Sequence, residues 1–339
     1  MMTLPLSPRV KMSTVPQSEG HNPVMLREVL TLLQINGRGT YLDGTFGGGG
    51  YMRAMMAESP AHLFALDKDP DAITRGQALQ AQSAADNRGA APTFEIRQGN
   101  FRDMATLFAD VAPFDGIVLD LGVSSFQIDQ AERGFSFRQD GPLDMRMSQS
   151  GQSAADLVNE ADEATLADII YHYGEERLAR RVARAIVTAR QEEPIQRTGQ
   201  LAAIIRKVVH PDRSRIDPAT RTFQAIRIAV NDEMNDLERV LETAPALLRE
   251  GGRLVVVTFH SLEDRLVKRA MQASAGRVAR PSRHMPITMA EPTNMFRLPH
   301  GKPLTPSDDE IQQNPRARSA KIRVLEKTRH IIEPLEGTS

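Results

Sequence analysis

The sequence predicts an α/β protein with a largely parallel β-sheet and a helical insertion. Two observations lead to this prediction. Short apolar segments recur at intervals of roughly 20 to 30 residues, the spacing of βα units in a parallel sheet. The recurrence then stops for more than 100 residues before a fifth segment. The candidate strands are residues 41–43, 63–67, 94–98, 117–121 and 254–259.

The interrupted region has the periodicity of helices. Apolar residues recur at three- and four-residue spacing, with arginines between them, over 164–172, 176–190 and 198–209. His210-Pro211 ends the pattern because the residue before a proline disfavours the helical conformation. Amphipathic helices in succession, with no apolar strand between them, indicate a separate helical unit.

These patterns give a domain organisation. The helical insertion is expected over 130–215, between two parts of the sheet-forming domain at 21–129 and 216–339. Residues 1–20 are rich in Pro, Ser and Thr and are expected to form a disordered leader. No internal repeat is evident.

The C-terminal third predicts three further features. One long amphipathic helix is expected from Thr222 through Leu241, ending near Gly251-Gly252 before the fifth strand. Residues 280–315 are rich in Pro and Met with little periodicity, and they are expected to form an ordered loop or flap. Residues 321–325 predict a final strand.

The composition is that of an ordinary globular protein, with 40% hydrophobic and 25% charged residues in 339. No apolar run reaches the length of a membrane span, and no secretory apolar segment is present near the N-terminus. We therefore expect a cytoplasmic protein without membrane partners. The chain has no cysteine, which excludes disulfides, thiolate metal sites and a cysteine nucleophile. No metal site is predicted.

A net charge of −1 conceals a strong segregation of charge. Residues 175–227 hold 12 Lys/Arg against 6 Asp/Glu, residues 265–284 hold six against none, and residues 315–329 hold six against one. A single basic block is often solvated helix surface. Three blocks together favour a face that binds nucleic acid.

A glycine loop follows the first strand, from Asp43 to Gly50, and precedes a helical pattern. A dinucleotide fingerprint requires glycine five residues after the first glycine, but Met52 follows Gly47 at that distance. A phosphate-binding P-loop requires Gly-Lys-Ser/Thr, and the loop has no lysine. What remains is a glycine loop with an acid before it, which suits a ligand with an amino group or a ribose, such as S-adenosylmethionine. The alternative is a tight turn without a ligand.

Polar and aromatic residues at the other strand ends are compatible with that ligand. Asp67 lies 24 residues after Asp43, where a carboxylate can accept both ribose hydroxyls, although it could instead cap the next helix. Phe101 follows the third strand and could flank an adenine or belong to the core.

Asp120 ends a fully apolar run, where an unused carboxylate would be costly. His260 follows the fifth strand at the same sheet edge, and it is either catalytic or a helix cap.

Several longer motifs carry a resemblance to a known family. The chain resembles the bacterial small-subunit ribosomal RNA methyltransferase H family, also called MraW, from residue 21 almost to its C-terminus. The motifs are HNPVM at 21–25, DGTFG at 43–47, DLGVSS at 120–125, ERGFSF at 132–137, DGPLDMRM at 140–147, TFQAIR at 222–227, FHSLED at 259–264 and NPRARSAK at 314–321.

The resemblance implies a class I S-adenosylmethionine-dependent methyltransferase with a Rossmann-like sheet and an inserted α-helical domain that binds the substrate. It implies transfer of a methyl group to the exocyclic N4 of a cytosine, cytosine 1402, in the decoding region of 16S rRNA. The partner would be 16S rRNA or the small ribosomal subunit, with a homodimer left open. For such an enzyme, the absence of cysteine excludes carbon-5 methylation through a covalent adduct.

The resemblance also implies cofactor contacts by position. Together with Asp43 of the glycine loop, the expected contacts are Gly49, Gly50, Tyr51, Asp67, Phe101, Asp120 and Gln127. This chain departs from the family at two positions, with Tyr51 in place of histidine and Phe126 in place of proline. A role for an imidazole at 51 is thereby in doubt, and the loop that carries Gln127 differs in stiffness.

Two residues are the candidates for catalysis. Asp120 is expected to orient either the target amine or the methionine amino group, and His260 to take the proton after transfer. Two other functions stay open at this point. One is a non-catalytic RNA-binding assembly factor on the same scaffold, and the other is a methyltransferase for protein or small-molecule substrates.

Overall fold

A seven-stranded sheet forms the centre of the protein in the computed structural model, which describes residues 23–86, 93–211, 217–277 and 295–328. Its strands are β1 (Thr40–Asp43), β2 (His62–Asp67), β3 (Thr93–Gln98), β4 (Phe114–Asp120), β5 (Leu248–Thr258), β6 (Phe296–Arg297) and β7 (Lys321–Lys327). The five predicted strands and the final strand are confirmed. The two-residue β6 was not predicted because it is too short to show any alternation.

The strand order is β3-β2-β1-β4-β5-β7-β6. Strands β1 to β5 are parallel, whereas β7 runs antiparallel to both β5 and β6. The order reverses between β1 and β4, which places a crevice outside their carboxyl ends. The predicted α/β class with a Rossmann-like sheet is confirmed.

Helices cover the sheet and fill the region between β4 and β5. They are α1 (Leu26–Leu33), α2 (Gly50–Ala57), α3 (Pro70–Asp86), α4 (Met104–Leu107), α5 (Ser125–Asp129), α6 (Ala154–Glu160), α7 (Glu163–Gly174), α8 (Ala179–Glu192), α9 (Thr198–Val208), α10 (Thr220–Asn231), α11 (Glu233–Thr243), α12 (Ser261–Ser274) and α13 (Asp308–Gln313). The three predicted helices of the interrupted region correspond to α7, α8 and α9.

The single long helix predicted from Thr222 was wrong. Asp232 adopts the left-handed conformation, with φ 54° and ψ 33°, and it separates α10 from α11. Aspartate tolerates this conformation better than most residues, and the apolar spacing continues across the break without showing it. The expected end at Gly251-Gly252 was also wrong, because both glycines lie inside β5.

Successive residues of the sheet point to opposite faces, and each face has its own core. Tyr41 belongs to one hydrophobic cluster with α1 and α2, whereas Leu42 belongs to the other with α11 and α12. A third cluster lies within the helical region and includes Leu166, Val182 and Phe223. It extends to Ile226 of α10, so the domain boundary at 215 remains a prediction.

The predicted leader 1–20 and much of the loop predicted over 280–315 lie outside the described residues. Within the described part of the chain, no helix has the length and apolar character needed to cross a membrane.

Candidate active site

One cavity of about 1780 Å³ lies at the carboxyl ends of β1, β2 and β4. The loops that follow these strands form one side, and α10 with residues 135–138 forms the other. Residues 307–319 complete a third wall, where Glu310 Oε1 accepts a hydrogen bond from the Met25 amide at 2.5 Å. The cavity therefore lies where the strand order places a ligand.

The glycine loop packs closely against neighbouring side chains. Gly49 has a φ of 73°, and a Cβ there would lie 2.6 Å from the Phe46 ring. A Cβ on Gly50 would lie 2.3 Å from Pro23. Gly50 lines the cavity and Gly49 does not. The protein itself thus requires these glycines, and only part of the loop faces the cavity.

Asp67 is held by two main-chain donors at the end of β2. The Gly47 amide donates to Oδ2 at 2.7 Å and the Asp69 amide to Oδ1 at 2.8 Å. Burial raises the pKa of Asp67, and the two hydrogen bonds oppose that rise. The residue directly before α3 is Asp69 and not Asp67, and Asp69 accepts from the Asp71 amide at 3.1 Å. Asp67 therefore lines the cavity with a fixed carboxylate.

Asp43 and Asp120 end the neighbouring strands β1 and β4. Both keep one buried oxygen, Oδ2 of Asp43 and Oδ1 of Asp120, without a hydrogen-bond partner among the described residues. Burial raises the pKa of Asp43 to about 7, with further repulsion from Asp67. Burial likewise raises the pKa of Asp120 well above its usual range, with further repulsion from Asp43 and Glu263. Asp120 lines the cavity, and Asp43 lies behind the lining. The pair attracts a hydrogen-bond donor or a cation into the cavity.

Tyr51 and Phe101 both line the cavity. The Tyr51 hydroxyl donates to the Val24 carbonyl, and the ring is buried. Phe101 follows Asn100, which caps a 3₁₀ turn by accepting from the Arg102 amide. The Phe101 ring also packs against the cluster of α11 and α12. Phe101 thus belongs to the core and to the cavity wall at once.

Gln127 is engaged at both ends of its side chain. Its Oε1 accepts from the Ser124 amide at 2.9 Å in a capping box at the start of α5, and its Nε2 donates to Asp69 Oδ2 at 2.7 Å. The neighbouring Phe126 ring lies 4.5 Å below the Arg75 guanidinium. Gln127 reaches the cavity wall with both polar ends already bound.

His260 caps α12 and does not line the cavity. Its Nδ1 accepts from the Glu263 amide at 3.4 Å, and its Nε2 lies 2.9 Å from Glu263 Oε1 without the geometry of a hydrogen bond. Glu263 itself lines the cavity and accepts from the Phe259 amide at 2.8 Å. Burial raises the pKa of Glu263, but the adjacent His260 and Arg227 outweigh it and lower the pKa overall.

The other half of the cavity is aromatic and was not predicted. Phe137 and Phe223 meet edge to face with ring centroids 4.8 Å apart. Arg227 forms a two-pronged ion pair with Glu233, with both distances 2.8 Å. Gln224 donates to the Tyr173 carbonyl at 3.0 Å. The motifs that carry these residues were visible in the sequence, but their role depends on how α10 faces the sheet.

The fold and this site define the class of the protein. A Rossmann-like sheet with an antiparallel β7, a glycine loop after β1 and acids at the ends of β1, β2 and β4 form an S-adenosylmethionine-dependent methyltransferase of class I. The chain belongs to the MraW methylase family, whose family model matches residues 18–328.

Curated relatives agree with this membership. The chain is 60% identical over 306 residues to a ribosomal RNA small subunit methyltransferase H of Gluconobacter oxydans, covering 90% of this chain and 93% of that one. It is 54% identical over 311 residues to the protein of the same name from Paramagnetospirillum magneticum, covering 91% and 96%. Among solved structures, TrmN from Thermus thermophilus is 13% identical with a TM-score of 0.40, covering 89% of this chain and 48% of that one. That likeness is too weak to bear on function.

The residues present fit the cofactor. S-adenosylmethionine carries an ammonium, a sulfonium and a ribose diol. The cavity wall offers Asp120, with the unpaired oxygen of Asp43 behind it, and a fixed carboxylate at Asp67. Within the described residues, no group of three or more potential ligands could hold a metal ion.

Proposed function

We propose that this protein transfers a methyl group from S-adenosylmethionine to the exocyclic N4 of a cytosine, cytosine 1402, in the decoding region of 16S rRNA. The observation that carries the proposal is a single cavity that joins an acid-lined glycine-loop half to an aromatic half. The curated relatives, named as ribosomal RNA small subunit methyltransferases, support the choice of RNA.

Each cofactor contact is assigned from the position of its side chain. Asp67 would accept the ribose hydroxyls, Phe101 would flank the adenine, and Asp120 with Asp43 behind it would hold the ammonium. A cation beside these two buried acids would lower their raised pKa values and leave them ionised. The main chain at Gly50 and the Tyr51 ring would form the wall beside the methionine moiety.

Gly49 and Gln127 would act indirectly. Gly49 supports the loop from behind, and Gln127 holds the loop after β4 through Ser124 and Asp69. Bound S-adenosylmethionine supplies an electrophilic methyl group on a positively charged sulfur. The protein contributes chiefly by aligning the two reactants, which accounts for much of the rate in such transfers.

A cytosine would enter the aromatic half. Phe137 and Phe223 offer ring surfaces for stacking, and Gln224 and Arg227 offer polar groups at the rim. A base must leave its stack to reach such a pocket, and aromatic walls compensate for the stacking that it loses. The amine lone pair of cytosine is delocalised into the ring, so an acceptor for the amino protons would favour attack. Asp120, whose Oδ1 has no partner among the described residues, is the alternative acceptor for these protons, because one carboxylate cannot hold both the ammonium and the cytosine amine.

The proton-acceptor role of His260 stays a prediction. Its ring faces Glu263 and caps α12, which favours a role in positioning Glu263 at the cavity. A pH profile of single-turnover transfer in variants of His260 tests the two roles.

Exposed basic side chains on the helical region and on α12 support binding of RNA. Arg180 and Arg181 of α8 and Lys268 and Arg269 of α12 are exposed and form no ion pair with another described residue. Glu175, the C-cap of α7, accepts from Ser261 and from Arg265 of α12, and it therefore joins the end of α7 to the start of α12. The first two basic blocks of the sequence thus meet at one place on the surface of the protein.

The third basic block contributes less to that surface. Lys321 and Arg323 both bind Asp264, at 3.1 Å and 2.7 Å, and Arg316 binds Asp129 at 2.6 Å. These cations stabilise the fold. The prediction of RNA binding therefore depends chiefly on the exposed cations of α8 and of α12.

Mass mapping of modified nucleosides in 16S rRNA tests the proposed reaction. Cells that lack the gene are expected to lose one N4-methylcytosine, and the wild-type gene is expected to restore it. If an Asp120→Asn variant that transfers no methyl group as purified protein still restored the N4-methylcytosine in cells, another enzyme would have to methylate the base. That result would instead favour the assembly-factor function. An unchanged nucleoside map would contradict the proposal. The cytoplasmic location and a homodimer remain predictions.

A further inference from the structure

Arg133 is a buried cation outside the site described above. It belongs to the ERGFSF motif, and its side chain is 9% exposed. Nη1 donates to Asp69 Oδ2 and to Asp71 Oδ2, both at 2.9 Å. Nη2 donates to the carbonyls of Arg146 and Met147, at 3.1 Å and 3.2 Å. One guanidinium therefore joins four acceptors on two separate segments of the chain.

The first segment leads to the cofactor half of the cavity. Asp69 is almost completely buried, and its amide donates to Asp67 Oδ1. Asp69 Oδ2 also accepts from Gln127 Nε2, which ties the loop after β4 to the same carboxylate. Arg133 thus holds Asp69, and Asp69 in turn fixes both Asp67 and Gln127.

The second segment leads to the aromatic half. Phe135, Phe137 and Met147 line the cavity. The two phenylalanines closely follow Arg133 in the sequence, and the Met147 carbonyl is one of its acceptors. The main-chain carbonyl of Arg133 also accepts from the Met145 amide at 3.0 Å. The segment 135–147 is therefore attached to the cofactor half through this side chain, and Gln149 adds a weaker link beside it by donating to Asp69 Oδ1 at 3.4 Å and to Asp71 Oδ2 at 3.0 Å.

We propose that Arg133 is a positioning residue that sets the geometry of the cofactor site from the segment that forms the opposite wall of the cavity. It touches neither reactant and acts through Asp69 on Asp67 and Gln127. This inference rests on the proposed contact between Asp67 and the cofactor. A lysine at 133 has one nitrogen and cannot reach all four acceptors, since they lie on both prongs of a planar fork.

Isothermal titration of S-adenosylmethionine into Arg133→Lys tests the proposal. Supporting residues that orient direct ligands typically change affinity about 10- to 100-fold, so we expect at least about a tenfold rise in Kd at full stoichiometry. A merely structural role would lower the fraction of binding-competent protein and leave its Kd unchanged. Arg146→Lys is the matched control, because Arg146 lies in the same segment and binds Asp144 and the Gly151 carbonyl without contacting Asp69.

Two further variants make the result decisive. Asp69→Asn removes the charge that Arg133 binds while keeping the size of the side chain, and it is expected to weaken binding as Arg133→Lys does. It replaces Arg133→Lys as the test variant if the latter does not fold.

Asp67→Asn reports on the cofactor contact itself. Weak binding by Asp67→Asn with normal binding by Arg133→Lys and Asp69→Asn would overturn the positioning role and leave the proposed function standing. Normal binding by Asp67→Asn would contradict the ribose contact and this inference with it.

Discussion

Asp43 and Asp120 end adjacent parallel strands, and each keeps one buried carboxylate oxygen that no described residue satisfies. Unsatisfied buried polar atoms are uncommon in proteins and are often found where a ligand binds. Two such oxygens on neighbouring strand ends, both on acids with a raised pKa, mark the part of the cavity where positive charge is favoured.

The raised pKa of Asp43 predicts a pH dependence of stability. The pKa of Asp43 is 3.8 in the unfolded chain and about 7 in the folded protein, so folding favours the protonated acid. The stability that the protonated acid contributes is lost as the pH rises from about 4 through 7. The unfolding temperature of Asp43→Asn minus that of the wild type should therefore increase between pH 5 and pH 8. Thermal unfolding of both proteins without ligand, followed by circular dichroism, measures the difference. A constant difference across that range would refute the assignment.

Asp67→Ala is expected to weaken S-adenosylmethionine binding. Loss of a charged acceptor for two ribose hydroxyls should cost about 1.5–3 kcal/mol for hydrogen bonds to a charged group, or roughly a 10- to 100-fold rise in Kd. Calorimetry measures the affinity. The control is Asp110→Ala, which removes an exposed acid paired with Arg97 at the edge of the sheet. Undiminished affinity in Asp67→Ala would contradict the ribose contact.

Variants of His260 should separate capping from proton transfer. Asparagine is also a good helix N-cap, so His260→Asn keeps the cap of α12, whereas His260→Ala loses about 1 kcal/mol of stability. If His260 only positions Glu263 and caps α12, His260→Asn keeps most of the single-turnover rate and its pH profile. A large fall in rate in both variants, with a flattened profile, would make His260 the proton acceptor.

Charge reversal on the exposed side of α8 should weaken RNA binding. The double variant Arg180→Glu, Arg181→Glu is expected to lower affinity for a 16S rRNA fragment and to reduce the salt dependence of binding, since phosphate contacts release counterions. Its S-adenosylmethionine affinity should be unchanged. Arg38→Glu is the control, because Arg38 is exposed at the opposite end of β1. Equal salt slopes for wild type and the double variant would exclude this surface.

The sequence was most informative where local pattern determines structure. Strands with apolar runs were found, and so were the acids at Asp43, Asp67 and Asp120, because carboxylates after buried strands stand out. The break at Asp232 was missed since a single residue in a left-handed conformation leaves the apolar spacing intact. The pairing of cations within the third basic block could not be seen in the sequence, because Asp264 is distant in sequence from Lys321 and Arg323 and yet binds both.

The network around Arg133 and the aromatic half of the cavity depend on contacts between distant segments. Arg133 meets Asp69 across 64 residues, and Phe137 meets Phe223 across an entire helical region. Neither pairing has a local periodicity. Helix capping was one of the two roles expected for His260, and Glu263 three residues later, at the spacing of a capping box, favoured that role over catalysis.

The contact between the Met25 amide and Glu310 has a consequence for synthesis of the chain. These residues are 285 positions apart, and the wall that they close stands over the glycine loop. A chain emerging from the ribosome can pair its first four strands long before α13 exists, but this wall cannot form until nearly the whole described sequence has been made. A segment made late thus completes a cavity begun by segments made early, and a nascent chain halted before Glu310 would lack this closing contact.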